Sequence, residues 1–585
     1  MSGRGFGPEL TTSGVRFRLW APAAKHVELV LERPKPMQPE NGGWYSLLVP
    51  HARPGTRYKF RIDGGLDVPD PASAFQPEDV SGPSEVVDHS TFAWQASDWR
   101  APQWQSAAIL ELHVGTFTPE GTFRAAIDKL DHIAQTGFTA IELMPLADFS
   151  GRRNWGYDGV LLFAPDSAYG TPEDLKSLID AAHQRGLMVL LDVVYNHFGP
   201  EGNYLARYAP QFFSDTHTPW GKAVDYRVPE VRAFAIENAL HWLAHYRFDG
   251  LRLDAVHSIS EPGTPHLLAE LSCAAGAYAR EHRRTIHLVL ENDDNCATLL
   301  DPRTDPPQGR YRAQWNDDYH HGWHVWLTGE RHGYYGDYKD GPLDHIARVL
   351  GSGFAYQGEA SAHRSGKPRG QPSAALPPEA FVNFLQNHDQ IGNRPFGDRL
   401  TIQADPRALA AALAITLLAP MPPLMFMGEE WGSARPFPFF CDFQGELADA
   451  VRTGRRKEFK QAFDATGARL PDPLAQETFR SAILDWDARS RELGQQRLNL
   501  VRDLLTTRRR EIVPRMAGAS FGSAQLSGQV LRAHWRLGDG GRLMLLANLG
   551  NEPANSAVRL TGTPIWGVPE ARLPPLSVLW SIEAP

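Results

Sequence analysis

The stretch Leu187-Met188-Val189-Leu190-Leu191-Asp192-Val193-Val194-Tyr195-Asn196-His197 decides the fold. An unbroken apolar run ends on a carboxylate and opens into a polar loop. Before it lies a helical segment, residues 171–185, with Pro172 near its start and Gly186 after its end. Proline inside the start and glycine past the end are the punctuation of a helix. A strand that is apolar at every position is buried on both faces, as in a parallel sheet covered by helices.

Working outward, the same unit recurs. Apolar runs fall at residues 108–112 and 140–143, then 188–191, 251–253 and 287–290. A weaker run near 311–315 follows, then 381–385 and 423–427. Each leads into polar or charged residues, and most of the gaps can hold a helix. Eight such units over about 330 residues predict an α/β chain with a closed (β/α)8 TIM barrel and loop insertions, residues 96–490. The gap between strands three and four, 193–250, is oversized and is expected to hold the largest insertion.

Residues 1–95 read as all-β. Segments 15–20, 26–31 and 58–62 alternate with period two, and the last runs into the turn Asp63-Gly64-Gly65, the pattern of a small sandwich. Beyond the barrel, residues 491–585 read as a charged linking helix (495–510) and a C-terminal β-sandwich with strands at 530–535 and 542–547. Proline-rich patches near 365–378 and 434–438 read as loops.

With 585 residues the chain is too long for one hydrophobic core, so several domains are expected. Net charge is −9 with no long basic run, which argues against nucleic acid as a partner. Cys273, Cys296 and Cys441 have no close spacing, so neither a disulfide framework nor a thiolate metal site is expected. No run approaches the ~20 apolar residues of a membrane span, and 410–418 reads as a buried helix. The start lacks a signal-peptide h-region, and the expected location is cytoplasmic. Aromatics at 10% include several in polar loops, such as 154–158 and 314–318. Aromatic faces beside hydrogen-bonding groups suit sugar rings.

Functional residues of a barrel gather at the C-terminal ends of its strands. Four such ends carry a carboxylate: Asp192, Asp254, Glu291 and Asp389. Like charges brought together are unfavourable unless they serve chemistry. A pair of carboxyl groups flanking a bond suits glycoside hydrolysis, one as nucleophile or base and the other as acid. Arg252, two residues before Asp254 on the same face of its strand, would keep that group ionised. His197 and His388 can donate to sugar hydroxyls.

In the segments 192–197, 250–257, 291–293 and 387–389, taken in order, the chain resembles the α-amylase superfamily of retaining glycoside hydrolases over essentially its whole length. That resemblance implies Asp254 as nucleophile, Glu291 as acid/base and Asp389 as the third catalytic carboxylate. It also implies that Tyr157, Asp192, His197, Arg252, His257 and His388 bind the sugar at the cleavage point, with Tyr157 as stacking platform. Retention implies Asp254 and Glu291 about 5 to 5.5 Å apart. Within the superfamily, stretches 111–123, 291–295, 314–321, 387–394 and 427–431 are similar to the branch that releases trehalose from maltooligosyl trehalose. Residues 19–22 resemble the β-sandwich of isoamylases and branching enzymes. The implied reaction is hydrolysis of the α-1,4 bond next to the terminal α,α-trehalose. Asp293, Trp315, Asp317, His320, Gln390 and Arg394 are candidates for the trehalose-side pocket, and Glu429 reads equally as a loop partner or a contact. No metal or cofactor is expected. The alternative is a debranching or branching enzyme acting on α-1,6 linkages. Gln390 counts against it, because branching enzymes usually carry glutamate there.

Overall fold

The computed structural model describes residues 5–218, 221–259, 266–301, 303, 311–460, 470–555 and 560–585. Its centre is a closed parallel barrel of eight strands. They are β1 (Ile109–Leu112), β2 (Ala140–Leu143), β3 (Met188–Val193), β4 (Gly250–Leu253), β5 (His287–Leu290), β6 (Ala313–Trp315), β7 (Phe381–Phe384) and β8 (Pro423–Phe426). Neighbours in sequence are neighbours in the sheet, and β8 closes onto β1 through Leu110 and Met425. Every residue of these strands is buried, the physical counterpart of their unbroken apolar runs. The helix before β3, Pro172–Gln184, begins with a capping box between Thr171 and Asp174, which satisfies two backbone N–H groups at its start.

One expectation about the insertions is corrected. The longest connection between barrel strands runs from Trp315 to Phe381, ahead of the one from Val193 to Gly250. It holds the helices Asp317–Thr328 and Pro342–Ser352, a turn at Gly333–Tyr338 and a hairpin of Glu359–Ser361 with Lys367–Arg369. β6 is three residues long, and so short a strand gives a weak apolar signal from which to measure a gap. The hairpin also corrects the reading of 365–378 as loop throughout. Pro368 is tolerated there because its strand has a single neighbour, so no ladder N–H is needed on the other side.

Ahead of the barrel stand two antiparallel layers, one of four strands and one of five, the fifth being Ser84–Glu85 paired with Arg57–Ile62. One is ordered Glu9–Thr11, Gly14–Trp20, Trp44–Val49, Gln38–Glu40, and the other Pro34–Pro36, Val27–Val30, Arg57–Ile62, Leu66–Val68. They dock on the long β3–β4 connection. Phe6 N–H donates to Glu237 at 2.9 Å, and the Phe6 ring meets Phe234 edge-on at 5.0 Å. The chain ends in a five-stranded antiparallel sheet that packs on the helix Pro342–Ser352, where Trp535 Nε1 donates to Leu350 O at 2.9 Å. The linking helix spans Glu492–Thr507 and runs on as a π turn to Ile512. No helix among the described residues is long and apolar enough to cross a membrane.

Candidate active site

Parallel strands deliver their C-terminal ends to one face, so Asp192, Asp254 and Glu291 arrive together from β3, β4 and β5. The ladder continues past the strands. Asp254 N–H donates to Val193 O and Glu291 N–H to Leu253 O, each at 3.0 Å. Ala255 then turns with φ 41°, a left-handed conformation costly for a residue with a Cβ. The turn has a use: Ala255 N–H donates to Glu291 Oε2 at 2.6 Å, tying the loop after one carboxylate to the other.

Arg252 is the hub. Fully buried, it places Nη1 2.7 Å from both Asp192 Oδ2 and Asp254 Oδ1, and Nη2 3.9 Å from Glu291 Oε2. Trp315 lies flat beneath it, 4.2 Å from guanidinium carbon to ring centre, a cation–π contact strengthened by exclusion of water. Around this one cation the carboxyls divide. Burial raises the Glu291 carboxyl, Arg252 opposes that, and the negative neighbours Asp254 and Asp389 add to it. Burial likewise pushes Asp192 up to about 7, with Arg252 pulling down and Asp254 pushing up. Asp254 shares the direct guanidinium contact, whereas Glu291 stands farther from it. A carboxyl raised by burial beside one in direct contact with a cation is the arrangement expected of an acid and nucleophile pair.

Tyr157 reaches this cluster through a tight loop. Gly156 has φ 104°, and a Cβ there would lie 2.1 Å from Pro145 O, so only glycine fits. The Tyr157 hydroxyl donates to Asp192 Oδ2 at 2.6 Å, and its ring stacks on His388 at 5.1 Å. His197 Nε2 is 2.9 Å from Tyr157 O. Asp389 is the most open carboxylate, 44% exposed, 3.5 Å from His388 Nε2 and bonded by Asn393 at 3.2 Å.

A cavity of about 250 Å³ opens beside Glu291 and Asp389. Of the residues expected around the site, His257, Asp293, Asp317 and Gln390 line it with them. Burial raises the Asp317 carboxyl well above the ordinary range, and Glu291 and Asp293 raise it further. Trp315, His320 and Arg394 were expected in this pocket, and the structure places them behind it. Trp315 lies under Arg252. His320 is buried between Leu385 O and Tyr335 OH, at 2.9 Å from the latter. Arg394 grips Glu330 through two bonds of 2.7 Å. Asp192, His197 and His388 are buried against their partners rather than exposed to the cavity. Trp155, one of the loop aromatics, is also buried, stacked on Phe437, and Glu429 is buried, accepting from Phe426 N–H at 3.2 Å.

The sequence reading missed most of one wall. The β6–β7 connection contributes Tyr334, His363, Arg364 and Arg369 to the cavity. Arg369 joins Asp293 and buried Asp318, each at 2.9 Å, and Arg364 joins Asp293 and Asp294 at 2.5 and 2.6 Å. These arginines pin the hairpin to the loop that follows Glu291. Among the described residues, no group of three or more His, Cys, Asp or Glu side chains is placed to hold a metal ion.

Family comparisons agree with this geometry. The model for the alpha amylase catalytic domain matches residues 88–220, carbohydrate-binding module 48 (isoamylase N-terminal domain) matches 5–73, and a domain of unknown function, DUF3459, matches 519–580. The crystal structure of a putative alpha amylase from Salmonella typhimurium superposes with a TM-score of 0.93 at 44% identity, covering 99% of this chain and 100% of that one. Barrel and carboxylates together define a glycoside hydrolase of the α-amylase class. Malto-oligosyltrehalose trehalohydrolase of Deinococcus radiodurans is 42% identical over 92% of this chain and 88% of its own, and that of Saccharolobus solfataricus is 40% identical over 82% and 83%. The chain belongs to the malto-oligosyltrehalose trehalohydrolase family.

Proposed function

We propose that the chain hydrolyses malto-oligosyltrehalose at the α-1,4 bond next to the terminal trehalose, releasing trehalose and a shortened maltooligosaccharide. The observation that carries the reading is the division of labour around Arg252. Asp254 touches the guanidinium, while Glu291 sits farther off with its carboxyl raised by burial. In the first step the Asp254 carboxylate attacks the anomeric carbon and the C–O bond breaks. Glu291 gives its proton to the departing oxygen, so trehalose leaves neutral and the remaining glucan is an ester on Asp254. In the second step Glu291, now a carboxylate, takes a proton from water as the water oxygen displaces Asp254. Two displacements retain the anomeric configuration.

Asp389 and Tyr157 hold the sugar at the cleavage point in this scheme, and the cavity lined by Asp293, Asp317 and Gln390 takes the trehalose unit. Buried donors and acceptors suit such selection, since a wrong sugar leaves them unpaired. The test is product analysis on maltotriosyl trehalose, with glycogen and pullulan alongside. Trehalose plus maltotriose from the wild type, and a loss of about 10⁴-fold or more in Asp254→Asn, are expected. Products from glycogen or pullulan without trehalose release would transfer the assignment to an α-1,6 activity.

A further inference from the structure

Below the carboxylates of the proposed mechanism lies a second acidic pair that the scheme does not use. In the barrel register Glu111 of β1 stands directly beside Glu142 of β2, and both are 1% exposed. Their bonding differs completely. Glu111 accepts from the backbone N–H of His388 at 3.1 Å through Oε2, and from His388 Nδ1 through Oε1. Neither carboxyl oxygen of Glu142 has a hydrogen-bond partner among the described residues. An unpartnered buried carboxyl is tolerable only with its proton on.

We propose that Glu111 is a positioning residue for the hydrolytic reaction: it holds His388 as a cation and fixes the direction of its second ring nitrogen. The inference rests on the site reading above. A single carboxylate gripping both the backbone and the ring of one residue leaves that ring no rotational freedom. Tyr157 stacks on one face, Trp155 meets the ring edge-on at 5.6 Å, and Trp315 is tilted at 6.0 Å. With Nδ1 engaged, Nε2 is the nitrogen turned to Asp389, 3.5 Å away. The ring's charge matters there. An imidazolium donates from Nε2, whereas neutral imidazole, with its one proton held by Glu111 at Nδ1, would present a lone pair to an anion.

The charged and titratable groups facing His388 are Glu111 of β1, His113 after β1, Glu142 of β2, Tyr157 after β2, Arg252 of β4 and its neighbour Asp389. Burial works against the cation, but Glu111 and then Asp389 outweigh it and push His388 up to about 9. Glu142, raised by burial first and by Glu111 next, stays neutral. It therefore does not compete with Glu111 for the imidazolium.

The experiment compares kcat/KM of Glu111→Gln with wild type across about pH 5 to 8, a range that brackets ordinary histidine titration. Gln keeps the size and one acceptor but removes the charge. The ratio of variant to wild type is expected to fall by about tenfold or more as pH rises through that range, with recovery toward the acid end and the loss mainly in kcat. Glu111→Asp, which keeps the charge, is expected to lose activity equally at every pH, and Glu142→Gln to follow wild type. A pH-independent ratio for Glu111→Gln, or a pH-dependent one for Glu142→Gln, overturns the proposal. Should Glu111→Gln not fold, wild-type protein carrying 15N-histidine decides. His388, assigned by its disappearance in His388→Gln, is expected to be doubly protonated at about pH 8, and a neutral ring there overturns the assignment. Absence of trehalose release by the wild type would instead count against the proposed function.

Discussion

Single residues here are set by what surrounds Arg252. The same guanidinium lies 2.7 Å from Asp254 and 3.9 Å from Glu291, and burial raises the Glu291 carboxyl against its pull. Glu142 shows the opposite case, a buried acid with no hydrogen-bond partner among the described residues. Its folded pKa is raised, so above the ordinary carboxylate pKa the unfolded chain releases a proton that the folded chain keeps. Stability from this group is therefore lost as pH rises, by about 1.4 kcal/mol per pH unit up to the folded value. Glu142→Gln has no proton to release, so its melting temperature is expected to exceed that of wild type by a margin that grows from about pH 5 to 8. A margin that is constant or shrinks over that range would contradict a neutral Glu142. His388 has the same sign of pH dependence for a different reason, since here the folded state favours the charged form. Its raised value means that its contribution is complete below ordinary histidine pKa and is lost as pH passes about 9. The sequence shows Asp254, Glu291 and Asp389 because they interrupt apolar runs at their ends. Glu111 and Glu142 carry a different signal, a carboxylate inside a strand that is otherwise apolar. Periodicity does not say which face of a doubly buried strand points inward, and Trp315 was misplaced for that reason.

Among the elements, the β6–β7 connection decides the shape of the cavity. Its hairpin, Glu359–Ser361 with Lys367–Arg369, is too short to be stable alone and is held by Arg364 and Arg369. Arg369 is 4% exposed and Asp318 fully buried, so the pair is shielded from solvent. Removing one partner of such a pair strands the other charge, which typically costs about 3 to 5 kcal/mol. Asp318 also accepts from Asn295, Ala355 N–H and Tyr356 N–H at 2.7 to 3.0 Å, which places the expected loss for Arg369→Leu toward the lower end, about 3 kcal/mol. Chemical denaturation measures it, together with a raised KM for malto-oligosyltrehalose as the wall loosens. A change below about 0.5 kcal/mol would mean the clamp is held by other contacts. Little of this was legible beforehand. The segment is rich in proline and glycine with short strands, and ion pairs between residues as far apart as Asp293 and Arg369 leave no mark in a local pattern.

On the scale of the molecule, one apolar core runs without a break from Val15 and Phe17 through the barrel's outer layer to Trp535 and Trp580. A separate inner core, including Ile109, Leu190, Val289 and Trp315, fills the barrel itself. Continuity across the N-terminal sheets, barrel and C-terminal sheet predicts a single cooperative transition in differential scanning calorimetry. Two resolved peaks would show that the terminal sheets melt independently. By itself the sequence determined the barrel, because strands buried on both faces read as largely apolar runs and helices must separate them. It also pointed to the cluster of Asp192, Asp254 and Glu291, because parallel strands bring all their C-terminal ends to one face. Only the tertiary structure decided which side chains reach the cavity, how Glu111 meets His388 across the chain, and which carboxyls are buried. Those depend on distances of a few ångströms and on exclusion of water, and neither is a property of residues adjacent in sequence.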